Sequence, residues 1–172
     1  MQAAVRALYP DVKRFFRNKL PEPDCYDSAH EAIKAFLAID PSRIREPKPF
    51  LMGVARNHLL KYFARQRPTH EFDSTRMSLA QLGTTMTARL DRHNVLANAL
   101  RTLALDEQVA FEWHYAEEMT LEQIAEQQGV SRATVVRRLA SAREKLRQAI
   151  GSTGADLEPK DIQQLADAYR SG

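Results

Sequence analysis

At 172 residues the chain has room for one ordinary domain or two small ones, and 44% apolar residues suffice for packed cores. A formal charge of only +3 excludes a general basic field, so any affinity for nucleic acid has to come from local patches. The single cysteine, Cys25, excludes an internal disulfide, fits a reducing cytoplasm, and reads as a small semi-buried apolar residue. Nowhere do roughly 18 apolar residues run together, which argues against membrane insertion. The amino-terminal stretch MQAAVRALYPDVKRFF, charged every few residues, reads as no signal peptide.

Apolar spacing and prolines divide the chain. A first helix is predicted over 3–18, with Val5, Leu8, Val12, Phe15 and Phe16 on one side and Pro21 and Pro23 ending it. A second, over about 26–39, turns Ala29, Ala32, Ile33, Phe36 and Leu37 inward and stops at Asp40-Pro41. The proline-rich stretch 41–49 reads as a loop. A third helix over 50–67 buries Phe50, Leu51, Val54, Ala55, Leu59 and Phe63 and closes before Pro68. Residues 68–88, rich in Ser and Thr without a steady period, read as a linker with little fixed structure. A second helical unit is expected over 89–150. Its first helix carries Leu90, Val95, Leu96, Leu100 and Leu103, and the next carries Val109, Phe111 and Trp113. After Gly151 the chain loosens, and 159–170 fits a short amphipathic tail helix with Ile162, Leu165, Ala166 and Tyr169 on one side. No strand pattern and no internal repeat stands out. The fold class is therefore all-α: two small helical domains joined by a flexible linker, the second ending in a helix-turn-helix, with a carboxy-terminal extension over 151–172.

That helix-turn-helix is the strongest signal. In TLEQIAEQQGVSRATVVRRLASAREKLR (120–147), Thr120 and Gln123 stand at capping-box spacing. Leu121, Ile124 and Ala125 form one apolar face, Gly129 suits a left-handed helix terminus, and Ser131 can cap the next helix. There Val135, Leu139, Ala142 and Leu146 recur as a buried stripe, leaving Arg132, Thr134, Arg137, Arg138, Arg143, Lys145 and Arg147 to other faces, opposed by Glu144. A helix of this kind suits a major groove, where Arg pairs with guanine or clamps phosphates. A basic, solvated surface helix is the bland alternative, and the turn, cap and small residues together weigh against it.

The charges are sorted along the chain. Between Arg43 and Arg67 seven basic residues face one acid, Glu46, whereas between Asp106 and Ser131 there is no Lys or Arg and seven acids occur. In the third helix Arg56, Asn57, Lys61, Tyr62 and Arg65 fall near one another across successive turns. Aromatic faces stack on unpaired bases, an amide pairs with a base edge, and cations hold the backbone, a mixture suited to single-stranded or opened nucleic acid. Tyr62 and Phe63 as core with a solvated cationic rim is the competing reading. His30, His58, His70, His93, His114 and Cys25 sit far apart without ligand spacing, and there is no glycine-rich phosphate loop or nucleophile elbow. No metal, no cofactor and no enzymatic activity are expected.

Three blocks in order then resemble the extracytoplasmic-function (ECF, group IV) sigma factors of bacterial RNA polymerase. DCYDSAHEAIKAFLAI (24–39) resembles region 2.2, PFLMGVARNHLLKYFARQR (49–67) regions 2.3 and 2.4, and LEQIAEQQGVSRATVVRRLASAREKLR (121–147) region 4.2. The resemblance implies region 2 over 1–67 and region 4 over 89–150. It implies that Asp27, His30 and Glu31 dock on core polymerase, and that Arg43, Arg45, Lys48, Phe50, Arg56, Asn57, Lys61, Tyr62 and Arg65 recognise and open the minus-ten element. Arg132, Thr134, Arg137 and Arg138 would read the minus-thirty-five duplex, with Ser131 and Arg143 on phosphates. Core RNA polymerase and promoter DNA are the implied partners, with an anti-sigma factor a further candidate and the cytoplasm the implied location. His30 stands where Gln is usual, Phe50 where Trp is frequent, and the tail lies beyond the family pattern. The runner-up is a stand-alone helix-turn-helix regulator binding duplex DNA, which explains 120–147 but leaves 24–67 without a role.

Overall fold

A computed structural model of the protein describes residues 2–67, 72–82, 95–151, 162 and 167. Among these, every regular element is helical, and the chain divides into two compact units.

The first unit is a bundle of three mutually packed helices: α1 (Gln2–Arg17), α2 (Asp24–Leu37) and α3 (Pro47–Gln66). Val12, Phe15, Phe16 and Leu20 meet Cys25, Ala29, Ala32 and Phe36 of α2 and Leu51, Met52, Ala55, Leu59 and Phe63 of α3, all buried. Both α2 and α3 begin earlier than the spacing predicts. The reason for α3 is that Pro47 and Pro49 fall in a first turn, where a missing N–H costs nothing and the fixed φ already suits a helix. The loop before it shrinks to a 3-10 turn, Pro41–Arg43, whose entry is fixed by the Ser42 N–H donating to the Asp40 carboxylate at 3.0 Å. Leu37, expected inward, is 44% exposed, because the α2 stripe runs Cys25, Ala29, Ala32, Phe36 and turns Leu37 away. Lys19 is fully buried just beyond α1. Its ammonium donates to the Phe15 carbonyl at 3.1 Å and sits 4.0 Å from the Phe15 ring centre, on the negative end of the helix.

The second unit contains α4 (Val95–Leu100), α5 (Leu105–Tyr115), α6 (Leu121–Gln128) and α7 (Arg132–Gly151), with α7 touching the other three. Leu103, Leu105, Val109, Phe111, Trp113, Ile124, Val135, Leu139, Ala142 and Leu146 form its core. Residues 73–82 belong to this unit, which corrects the expectation of little fixed structure across 68–88. The Asp73 carboxylate accepts from the Thr75 N–H (2.8 Å) and hydroxyl (2.6 Å), Leu79 is buried, and Ser78 forms an antiparallel bridge with Ala104. The physical reason lies at the start of α5. Its N-cap, Ala104, has no side-chain acceptor, so the orphan N–H groups of Leu105 and Asp106 donate instead to the carbonyls of Met77 (2.9 Å) and Ser74 (3.0 Å). Of the rest of the expected linker Phe72 is half-buried, whereas 68–71 and 83–88 lie outside the described residues, as does Leu90. So does the expected tail helix over 159–170, apart from Ile162, which is buried, and Asp167, which is exposed.

Candidate nucleic-acid interface

The helix-turn-helix is built by local capping at each of its corners. Thr120 Oγ1 accepts from the Gln123 N–H at 3.2 Å while Gln123 Oε1 accepts from the Thr120 N–H at 2.8 Å, a complete capping box that starts α6. At its end Gly129 adopts φ 65°, ψ 35°, the left-handed conformation that a side chain resists. The Gly129 N–H reaches the Glu126 carbonyl (3.2 Å) and the Val130 N–H the Ala125 carbonyl (3.0 Å), the paired bonds of a Schellman turn. Ser131 then caps α7, its Oγ accepting from the Thr134 N–H at 3.2 Å. The apolar stripe Val135, Leu139, Ala142, Leu146 is buried and continues into Ile150.

The cations of α7 divide into two sets. Arg138 turns inward. Its guanidinium lies 2.9 Å from the Asp106 carboxylate and donates to Gln128 Oε1 at 2.6 Å, while the Gln128 amide donates to the Asp106 backbone carbonyl at 3.2 Å. Only 14% of the Arg138 side chain and 4% of the Asp106 side chain remain exposed. This geometry spends Arg138 on holding α7 to α5 and α6, against the expectation that it faces a duplex. Lys145 and Ser141 are both held by Glu107, at 2.7 and 2.8 Å. Arg132 Nε donates to Glu122 at 2.7 Å in a solvent-exposed pair that bridges the two helices of the motif. Arg137 is exposed and makes only a light contact, its Nη2 donating to Thr134 Oγ1 at 3.2 Å. Thr134 and Arg143 are half-buried beside the outward face, and Ser131 is exposed. The sequence reading missed Asp106, Glu107 and Gln128. Their signal was the acidic run opposite a basic helix, which pairs with α7 instead of merely separating two basic elements.

In the first unit Asn57, Lys61 and Arg65 lie exposed along one face of α3, and Arg43 and Arg45 are exposed on the preceding turn and loop. Lys48 reaches Asp11 of α1 at 3.4 Å, and Phe50 is half-buried against the Phe36 ring. Arg56 does not join the exposed face: it is 8% exposed, inside the bundle, against the expectation that it meets DNA. Tyr62 is half-buried and donates its hydroxyl to Asp24 Oδ2 at 2.6 Å. Burial, and then the hydrogen bond to that carboxylate, push its phenol up to about 12. The outward face of α2 presents Asp27, His30 and Glu31. His30 Nε2 lies 3.1 Å from the Tyr9 hydroxyl with the rings stacked, and Lys34, at 2.7 Å, holds the Glu31 carboxyl below its ordinary range. Partial burial, then the neighbouring Lys61, lower the His58 imidazole.

Among the described residues no cluster of His, Cys, Asp or Glu is arranged to hold a metal ion, and no helix is long and apolar enough to cross a membrane. The second unit contains a helix-turn-helix formed by α6 and α7. Its relationship is specific: residues 93–146 match the family model of sigma-70, region 4. That family is a promoter-DNA-binding transcription-factor domain and not an enzyme family. No curated protein matches the chain.

Proposed function

We propose that the chain is an ECF-type sigma factor that binds bacterial core RNA polymerase in the cytoplasm, recognises promoter DNA and helps to open it. The observation that carries the reading is a sigma-70 region 4 match over the capped helix-turn-helix, on a chain whose other unit exposes Asn57, Lys61 and Arg65 along one helix face. In this reading Ser131, Arg132, Thr134, Arg137 and Arg143 meet the minus-thirty-five duplex, with Arg138 positioning the helix that carries them. Arg43, Arg45, Asn57, Lys61 and Arg65 meet the minus-ten region, flanked by Lys48, Phe50 and Tyr62, with Arg56 supporting α3 from within. Asp27, His30 and Glu31 form the acidic and polar face offered to core polymerase. An anti-sigma factor is a candidate regulator of the same surfaces.

The phosphodiester chemistry belongs to the polymerase. This subunit contributes differential affinity: opened DNA is favoured only to the extent that α3 and its preceding loop bind unstacked bases better than paired ones. Phosphate contacts supply salt-sensitive affinity, and base-edge contacts supply about 1–3 kcal/mol of discrimination each. A pull-down of the full chain against core polymerase, followed by sequencing of retained promoter fragments, tests the reading. Core binding with enrichment of a two-part motif supports it. Duplex binding without polymerase affinity replaces it with a stand-alone regulator.

A further inference from the structure

The outward face of α7 is not uniformly basic. At 100° per residue, Ala133, Arg137, Ala140 and Glu144 lie opposite the buried stripe, with Val136 one step round beside Arg132 and Arg143. Ala133 and Ala140 are exposed, and Val136 is 40% exposed. Among the described residues only Leu37, in the other unit, is a comparably exposed large apolar side chain. Val136 therefore leaves apolar surface in water at the centre of the segment that the capping geometry presents. Arg132, Arg137 and Arg143 surround it. A protein partner covering this patch would have to desolvate those guanidinium groups, whereas the phosphates of a duplex would pair with them. Two alanines flanking Arg137 let the helix approach closely. Glu144, held by Arg147 at 2.6 Å, marks where the DNA-compatible face stops. In a major groove the apolar feature available to such a patch is the C5-methyl group of thymine.

We propose that Val136, with Ala133 and Ala140 beside it, reads thymine methyl groups in the major groove next to the base contacted by Arg137. This rests on the reading of α7 as a duplex-reading helix and adds the base class it selects.

The test uses the full chain, with and without bacterial core RNA polymerase, and a pool of random-sequence DNA duplexes from which bound molecules are selected. Each thymidine of the enriched motif is then replaced singly by deoxyuridine, which deletes only the methyl. The expected result is a loss of about fourfold at one or more positions, the worth of one buried methyl group. Val136→Ala should weaken binding to the thymidine duplex by a similar factor and become indifferent to the replacement. Val136→Thr, which keeps one methyl, should fall between. Unchanged Trp113 fluorescence shows that the variants remain folded. An enriched motif that depends on Arg137, with equal deoxyuridine sensitivity in wild type and Val136→Ala, overturns the methyl assignment alone. No enriched motif under either condition overturns the duplex-reading role as well.

Discussion

The two units handle their positive charge in opposite ways. On α7 the cations are largely committed: Arg132 to Glu122, Arg138 to Asp106, Lys145 to Glu107 and Arg147 to Glu144. In the first unit Arg43, Arg45, Lys61 and Arg65 make no ion pair with another described residue, and Tyr62 of α3 makes a polar bond to Asp24 of α2. The difference teaches that a basic stretch of sequence is not a measure of nucleic-acid contact. On α7 three of the cations, Arg132, Arg138 and Lys145, reach acids of α5 or α6, so the basic count overstates what is left to carry the reading. On α3 the exposed charges cost side-chain entropy to order, and they reward DNA with salt-sensitive affinity.

The comparison breaks most visibly at Asp106. Asp106→Ala leaves the largely buried Arg138 guanidinium without its carboxylate and should cost about 3–5 kcal/mol, toward the lower end because Gln128 remains bonded to it. The chain has one tryptophan, Trp113, fully buried in the same unit, so its fluorescence during urea unfolding reports this unit. Lys145→Ala, which opens a half-exposed pair, should shift the same transition by only about 0.2–1 kcal/mol. Similar shifts for the two variants would dissolve the distinction between a positioning pair and a surface pair.

A second contrast concerns DNA. Arg137→Ala should reduce affinity for the preferred upstream duplex by about 1–3 kcal/mol while changing affinity for unrelated duplexes little. Lys61→Ala or Arg65→Ala should weaken binding across sequences and lower the slope of log affinity against log salt by about one counterion. The readout is binding to matched and scrambled duplexes across a salt series. A uniform loss from Arg137→Ala would place that residue on phosphate and make the two faces alike.

Much of this architecture was legible because it is local. The α7 stripe, the Thr120–Gln123 box, Gly129 and the Ser131 cap depend on residues a few positions apart, and each is found as spaced. What was not legible is held by partners distant in sequence. Arg138 looks like any other Arg on the basic face until Asp106, some thirty residues earlier, is seen beside it. Residues 73–82 show no period because their bonds into the second unit run through backbone carbonyls, which no side-chain pattern records. Arg56 fails for a third reason: on a helix packed by two neighbours, a position one step from the apolar stripe is still inside.

Gly129→Ala probes the turn with a smaller effect. A Cβ there meets nothing within 4 Å, so the cost is conformational alone, about 1–2 kcal/mol for forcing an alanine to positive φ. The Trp113 transition should move by that amount. If the variant unfolds like wild type, the left-handed turn is not holding α7 in register, and the buried Arg138 pair carries that task alone.

A modest effect is expected in the first unit, at the bond between Tyr62 of α3 and Asp24 of α2. Tyr62→Phe removes the hydroxyl from Asp24 and should cost about 0.5–1.5 kcal/mol, read by circular dichroism during unfolding. Its pH dependence reports the burial of the hydroxyl first and its bond to Asp24 second. The phenol titrates at about 12 in the folded chain, above the roughly 10 of an unfolded tyrosine, so between these values the folded state holds a proton that the unfolded state has released. The stabilisation is therefore fully present below about pH 10 and lost as pH rises towards 12. Ultraviolet titration of tyrosinate should show a phenol ionising near pH 12 that disappears in Tyr62→Phe. A late titration that persists in the variant would assign it to another tyrosine. It would count against a part-buried Tyr62 hydroxyl bonded to Asp24.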